Sequence, residues 1–185
     1  MKNVLLLAGL VAVCLTGCGR PWIVIRQGPA VNPAMPLAVV PVTYDGLMVG
    51  RKSEAEYVGG KTDEQRASWE GDKNAFAGQF IASAMQHAAP FNIAGPDAAG
   101  GRGLIIAHVT FVEPGNFNGF VNFDTEVRTR VTITDPGQQP LDEIELRCRV
   151  GASMYRASVS LRMSDCGAAT GRYLDRYLRE RAGVR

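Results

Sequence analysis

The stretch from Val121 to Val150 alternates apolar and polar residues on both sides of a single turn. Before the turn, Phe123, Thr125, Val127, Thr129, Val131 and Ile133 share one face, and Asp124, Glu126, Arg128, Arg130 and Thr132 share the other. After it, Ile144, Leu146, Cys148 and Val150 alternate with Glu143, Glu145, Arg147 and Arg149. Side chains of a strand point to opposite faces in turn, so this pattern specifies two strands with one dry and one wet face. Asp135-Pro136-Gly137-Gln138 suits a tight turn, because proline presets the first central position and glycine suits the second. A hairpin centred on Pro136-Gly137 pairs Arg130 with Glu143, Arg128 with Glu145, Glu126 with Arg147 and Asp124 with Arg149, all opposite in sign. Sliding it by two residues would set Arg128 against Arg147, and like charges directly opposed disfavour pairing. The dry face must be covered, and helices elsewhere in the chain are available to cover it.

Leu37 to Thr43 reads as a short apolar strand, Asn74 to Ala89 as a helix with Phe76, Phe80, Ile81, Ala84 and Met85 on one side, and Phe91 to Ala94 as a second short strand. Strand, helix and strand in this order predict a crossover with the two strands parallel. Leu104 to Val112 is a further strand, and Ala168 to Ala182 is a second helix, capped by Ser164 or Asp165, with Tyr173, Leu174, Tyr177 and Leu178 on its apolar side. The predicted fold is α+β: a two-layer α/β sandwich, with a mixed sheet of about five strands and two helices on one face. Residues 44–72 are polar. Within them, Ser53 with Glu56 and Thr62 with Gln65 each match a capping box, which marks helix starts. Arg172, Arg176, Arg179 and Arg181 on the last helix either complement its dipole or meet an anionic lipid or glycan. His108 is expected on the outward side of its strand with Leu104, Ile106 and Val112, an apolar set that needs a cover.

The N-terminus is built differently. Lys2 is followed by an apolar run from Val4 to Leu15 that is too short to span a bilayer and ends at small residues, the layout of a secretory signal. The run closes on Leu15-Thr16-Gly17-Cys18, which resembles the lipobox of bacterial lipoproteins. The resemblance implies cleavage after Gly17, a diacylglyceryl thioether on Cys18 and acylation of the new amino terminus. Attachment through two or more chains is stable, whereas one is marginal. Gly19, in place of an aspartate, leans toward the outer membrane, facing the periplasm. The organisation expected is a signal peptide over 1–17, a lipidated N-terminus and tether over 18–36, and a periplasmic α/β domain over 37–185. Trp22-Ile23-Val24-Ile25 interrupts the Gly- and Pro-rich tether. It is either an edge strand laid on the domain or a contact for lipid headgroups or a partner, through Trp22, Ile23 and Ile25.

Composition bounds the rest. The formal charge of +2 gives no nucleic-acid footprint. With two histidines and no Cys-x-x-Cys spacing, no metal site is expected. No catalytic constellation and no cofactor motif is recognised, although Glu113 and Asp97 are acids of the kind an envelope hydrolase would use. Cys148 and Cys166 belong to an exported chain and are predicted to be bonded. Closing a loop of about 20 residues would add ~3 kcal/mol in the entropic account. Phe117 and Phe120, in the Gly- and Asn-rich link Glu113 to Phe120, either fold back on the sheet or stand out as anchors for a partner.

The mature order of elements over residues 37–182 is similar to small periplasmic domains of envelope lipoproteins, including the amino-terminal domain type of the Tol translocation protein. The resemblance is one of pattern and carries no functional residues. It implies a non-enzymatic binding or assembly module held to the membrane by Cys18, with an envelope protein or peptidoglycan as partner. The rival readings are an envelope-acting hydrolase and a passive structural lipoprotein.

Overall fold

The computed structural model describes residues 19–87, 89–119 and 122–184. The signal segment, Cys18 and Phe120 lie outside the described residues. In chain order the elements are β1 (Trp22–Gln27), β2 (Leu37–Val39), β3 (Met48–Val49), β4 (Lys52–Ser53), α1 (Glu54–Gly59), α2 (Asp63–Gln86) and β5 (Ile93–Ala94). Then follow β6 (Gly103–Glu113), β7 (Asn116–Phe117), β8 (Asn122–Phe123), β9 (Thr125–Thr134), β10 (Pro140–Val150) and α3 (Val159–Ala182). The architecture is the expected two-layer α+β arrangement, but the sheet holds eight strands, more than the five or so expected. Its order is β1-β10-β9-β6-β2-β5, with β3 on the far end of β6 and β4 beside β3; β7 and β8 form a separate hairpin. β2 runs parallel to both β5 and β6, as the crossover through α2 requires, and the long strands are antiparallel.

Both helices cover one face. Phe76 and Phe80 of α2 and Met163, Leu174 and Leu178 of α3 have no solvent exposure and join Ile105, Val109, Val127, Val131, Ile144 and Leu146 in a single core. Burying one such side chain stabilises the fold by roughly 1.5–3 kcal/mol. The two helices approach closely where α3 is thinnest. A Cβ on Gly167 would lie 2.2 Å from the Phe76 carbonyl oxygen, and one on Gly171 would lie 2.6 Å from the Ser83 Cβ. Both helices are longer than the pattern suggested. Both capping boxes form, at Ser53/Glu56 and Thr62/Gln65, and α2, capped by Thr62, starts at Asp63, eleven residues before Asn74. α3 starts at Val159, capped by Ser158, whose hydroxyl accepts from the Leu161 amide, so neither Ser164 nor Asp165 is the cap. Its end is set by Gly183 in the left-handed region, whose amide satisfies carbonyls of the last turn.

The hairpin register departs from expectation by the very shift that the charges disfavour. The pairs are Arg130 with Glu145, Glu126 with Arg149, and Arg128 with Arg147. Pro136 and Gly137 do occupy the turn, closed by the Gln138 amide on the Asp135 carbonyl at 3.0 Å. Gln138, however, takes φ of 65°, which lengthens the loop by one residue. A bulge between Pro140 and Asp142 adds the second. Two single-residue slips restore the parity of the faces, so the same residues stay dry. Like charges at Arg128 and Arg147 are absorbed along their own strands: Arg128 Nε donates to Glu126 at 2.7 Å and Arg147 Nε to Glu145 at 2.6 Å. The Arg128 guanidinium also lies 4.6 Å from the Phe111 ring centre. A second bulge, between Val109 and Phe111 in β6, turns Val112 into the core, which removes it from the outward set with His108. His108 itself is half-buried, with its Nδ1 at 2.9 Å from the Thr43 hydroxyl.

Residues 19–36 are not a free tether. β1 pairs antiparallel with β10 from Trp22↔Leu146 to Gln27↔Asp142, so the sheet begins at the fourth residue after Cys18. Trp22 is buried against Tyr177, ring centres 5.9 Å apart. The segment after β1 is held by Asp142, whose Oδ1 accepts from the Gly28 amide at 3.0 Å, and by Arg181, which donates to the Gly28 and Pro29 carbonyls.

Candidate functional site

Two surfaces bring together residues with binding chemistry. The first is an open cavity of about 630 Å³ at the strand ends, lined by Glu113, Gly115, Asn116, Asn122, Phe123, Asp124, Glu126 and Arg149. It exists because the sheet ends unevenly. Gly115, at φ of 66°, turns the chain out of β6, and its Cα hydrogen side meets the Phe123 carbonyl so closely that a Cβ there would lie 2.4 Å from that oxygen. The chain then runs through the β7–β8 hairpin before re-entering the sheet at β9. Beneath the turn, the buried Arg162 pins the backbone. Its guanidinium donates to the Thr125 hydroxyl at 2.7 Å, to the Arg156 and Ala157 carbonyls and to Pro114 O. Burial pulls the Arg162 pKa down, while the charge of Asp72 opposes that pull.

Charge in the cavity is mostly negative. Glu113 of β6 sits opposite Glu126 of β9 in register. Glu126 accepts from Arg149 at 2.8 Å and from Arg128 at 2.7 Å; these contacts, Arg149 first, hold its carboxyl below the usual range against the effect of burial. Glu113 and Asp124 complete the rim. Such a rim can receive hydroxyl, amide or cationic groups, with Phe123 as an apolar contact beside them. Phe123 is 59 % exposed, not on the dry face of β9, because β9 begins only at Thr125. Phe117 is half-buried in β7. Asp97 lies away from the cavity, in the 3₁₀ turn that follows β5.

The second surface is the outer edge of the sheet at β1. Ile23, Val24 and Ile25 are 46, 42 and 48 % exposed, while Trp22 is 7 % exposed and serves the core, not a partner. Val24 was not singled out by the sequence. It faces the helix side opposite Ile144, but as an edge residue it lacks a neighbour beyond it. Arg176 of α3 stands over the Trp22 ring at 5.5 Å, and Arg20 pairs with Glu180 at 3.0 Å. The α3 arginines divide by position: Arg179 pairs with Asp175, and Arg181 with the fully buried Asp142, so these two are structural. Arg172 and Arg176 remain exposed, one helical turn apart.

Cys148 of β10 and Cys166 of α3, the pair expected to be bonded, are both buried neighbours and carry no bond in this structure. The neighbouring Cys148 and burial push the Cys166 thiol well up. Cys166 lies within α3, not at its start. Among the described residues, no group of three or more His, Cys, Asp or Glu side chains is arranged to hold a metal ion, and no helix is long and apolar enough to cross a membrane.

No protein family profile and no curated protein matches this sequence. Among solved structures, the chain is similar to a PelC dodecamer from Paraburkholderia phytofirmans, at 9 % identity over 78 % of this chain and 92 % of that one, with a TM-score of 0.44. A methionine variant of the same protein, also a dodecamer, gives 13 % identity, 83 % and 97 % coverage, and a TM-score of 0.41.

Proposed function

We propose that this protein is a membrane-anchored envelope lipoprotein whose folded domain is a non-enzymatic binding or assembly module. The anchor is the acylated Cys18 implied by the lipobox, in the outer membrane with the domain facing the periplasm. The partner is an envelope protein or peptidoglycan, received at the cavity beside the β7–β8 hairpin. The observation that carries the binding reading is the exposed Phe123 at the mouth of the 630 Å³ cavity, beside Glu113 and Asp124. Cavities of this size with a few placed polar groups are where ligands bind, and aromatic side chains are the common anchors of partner surfaces.

The test is photo-crosslinking in cells at native expression from a reactive side chain at position 123. A discrete adduct, lost when Glu113→Gln and Asp124→Asn are combined, is the expected result. No adduct at 123 would leave a passive structural lipoprotein as the better account.

A further inference from the structure

We propose that the β1 edge and the Arg172–Arg176 stripe of α3 form a membrane-contact face that lays the domain on an anionic lipid surface in one fixed orientation. The proposal rests on the lipoprotein reading above and goes beyond it, from attachment to orientation.

The length of the connection decides the matter. Trp22 is buried in the core and is the fourth residue after Cys18. Four residues span at most ~14 Å when fully extended. A lipid on Cys18 sits at the boundary between acyl chains and headgroups, and the headgroup region is itself several Å deep, roughly 5–7 Å per leaflet. The start of β1 is therefore held within reach of the headgroups, with no slack for the domain to turn another side to them. The edge held there is also the apolar one: Ile23, Val24 and Ile25 are each more than 40 % exposed in a single run.

Charge agrees. Arg26 is exposed at the end of β1, where its guanidinium donates to the Pro140 carbonyl. Arg176 brackets Trp22 at the beginning, and Arg172 continues the stripe. Arg172 and Arg176 have no carboxylate within ion-pair distance among the described residues. The acids near β1 are already engaged, Glu180 by Arg20, Glu145 by Arg147, Glu143 by Arg130 and Asp175 by Arg179. A bilayer also suits an unpaired strand edge at this depth. The free N–H and C=O groups of β1 stay in the hydrated headgroup layer, because hydrocarbon could not satisfy them, while the isoleucines reach inward. β1 will not peel away to relieve the leash, since Trp22, the ladder to β10 and the Arg181 contacts at Gly28 hold it.

The experiment uses the full acylated protein extracted from membranes and reconstituted into phosphatidylethanolamine vesicles containing phosphatidylglycerol. A pyrene maleimide is placed at Ile25→Cys, with Ile23→Cys as a second position in case the first disturbs folding, and at Asp97→Cys on the opposite sheet edge. Cys148 and Cys166 are buried and do not compete. Brominated lipid should quench the probe at 25 or 23 and leave the probe at 97 unaffected. Without the acyl chains, Arg172→Gln with Arg176→Gln should weaken vesicle binding about 20- to 30-fold, the product of two basic contacts. Equal quenching at both edges, or none at either, in protein whose mass shows the lipid would overturn the orientation and leave the anchor standing. Pyrene excimer emission at 25 would assign the edge to a second copy of the chain and reject the membrane face. A mass without lipid would reject the lipoprotein reading and this inference with it.

Discussion

Asp142 concentrates four hydrogen bonds on one buried carboxylate: from Gly28 N, Tyr177 Oη and two nitrogens of Arg181. It thereby ties the N-terminal segment, β10 and α3 together. Burial acts to raise its pKa, but the bonds from Arg181, Gly28 and Tyr177 outweigh it, and the carboxyl lies below its ordinary value. A depressed carboxylate pKa stabilises the fold above the unfolded value of about 3.9, and that stabilisation is lost as pH falls through the folded value. Denaturant midpoints measured from pH 6 downward should therefore drop at acid pH, and the drop should be smaller in Asp142→Asn. Arg181→Ala leaves the buried charge without its cation and should destabilise by ~3–5 kcal/mol in urea unfolding at neutral pH. The sequence did contain the signal, since Asp142 occupies the apolar phase of its strand beside Ile144 and Leu146; its partner was not legible, because Arg181 looked like any basic residue near a helix end. Cys148 and Cys166 follow the opposite course. Their proximity was legible from strand phase, and their redox state depends on the compartment. In protein recovered from an oxidising compartment, thiol titration without reductant should find neither cysteine free; two free thiols there would rule the bond out.

Register and helix packing belong to the level of elements. In the observed hairpin, Glu126 couples to Arg149 directly across the ladder, whereas the two-residue turn alone would couple Glu126 to Arg147. Double-mutant cycles should give ~0.5–1 kcal/mol for Glu126 with Arg149 and close to zero for Glu126 with Arg147. The faces of both strands were legible because period two survives a shift of two. The register was not, because it turns on Gln138 adopting a left-handed conformation and on a bulge near Pro140, neither of which has a glycine to announce it. Helix starts were missed for a related reason. The first turn of α2 projects polar residues into solvent and carries little apolar pattern, while that of α3 buries the charged Arg162 beside Met163 and so breaks the pattern; Thr62 was readable as a capping box, and Ser158 lacked the acid three residues on. Gly167 and Gly171 are invisible to a hydrophobic pattern but set the spacing of α2 and α3. Gly167→Ala should cost ~1–3 kcal/mol by overpacking, more than its gain in helix propensity returns, as thermal unfolding would show.

At the scale of the molecule, the sheet's two ends have different characters. One edge, β1, begins within four residues of the proposed anchor and is apolar with a basic flank; the strand ends beyond β9 and β10 open into an acidic cavity with an exposed phenylalanine. The two-layer class was legible, because a hairpin with one dry face and two amphipathic helices admits few other solutions. The incorporation of β1 was left open by the sequence, since Trp22 to Ile25 is apolar on both sides and only the core could distinguish a buried Trp22 from exposed isoleucines. That incorporation converts a flexible tether into a short leash, and the account of function depends on what the leash is fastened to. The decisive measurement is the intact mass of the membrane-extracted protein beside a Cys18→Ala form, with both fractionated. The account predicts a chain that begins at Cys18 and carries acyl chains, found in the membrane fraction, with both features lost in Cys18→Ala. An unmodified mature chain in the soluble fraction would contradict it.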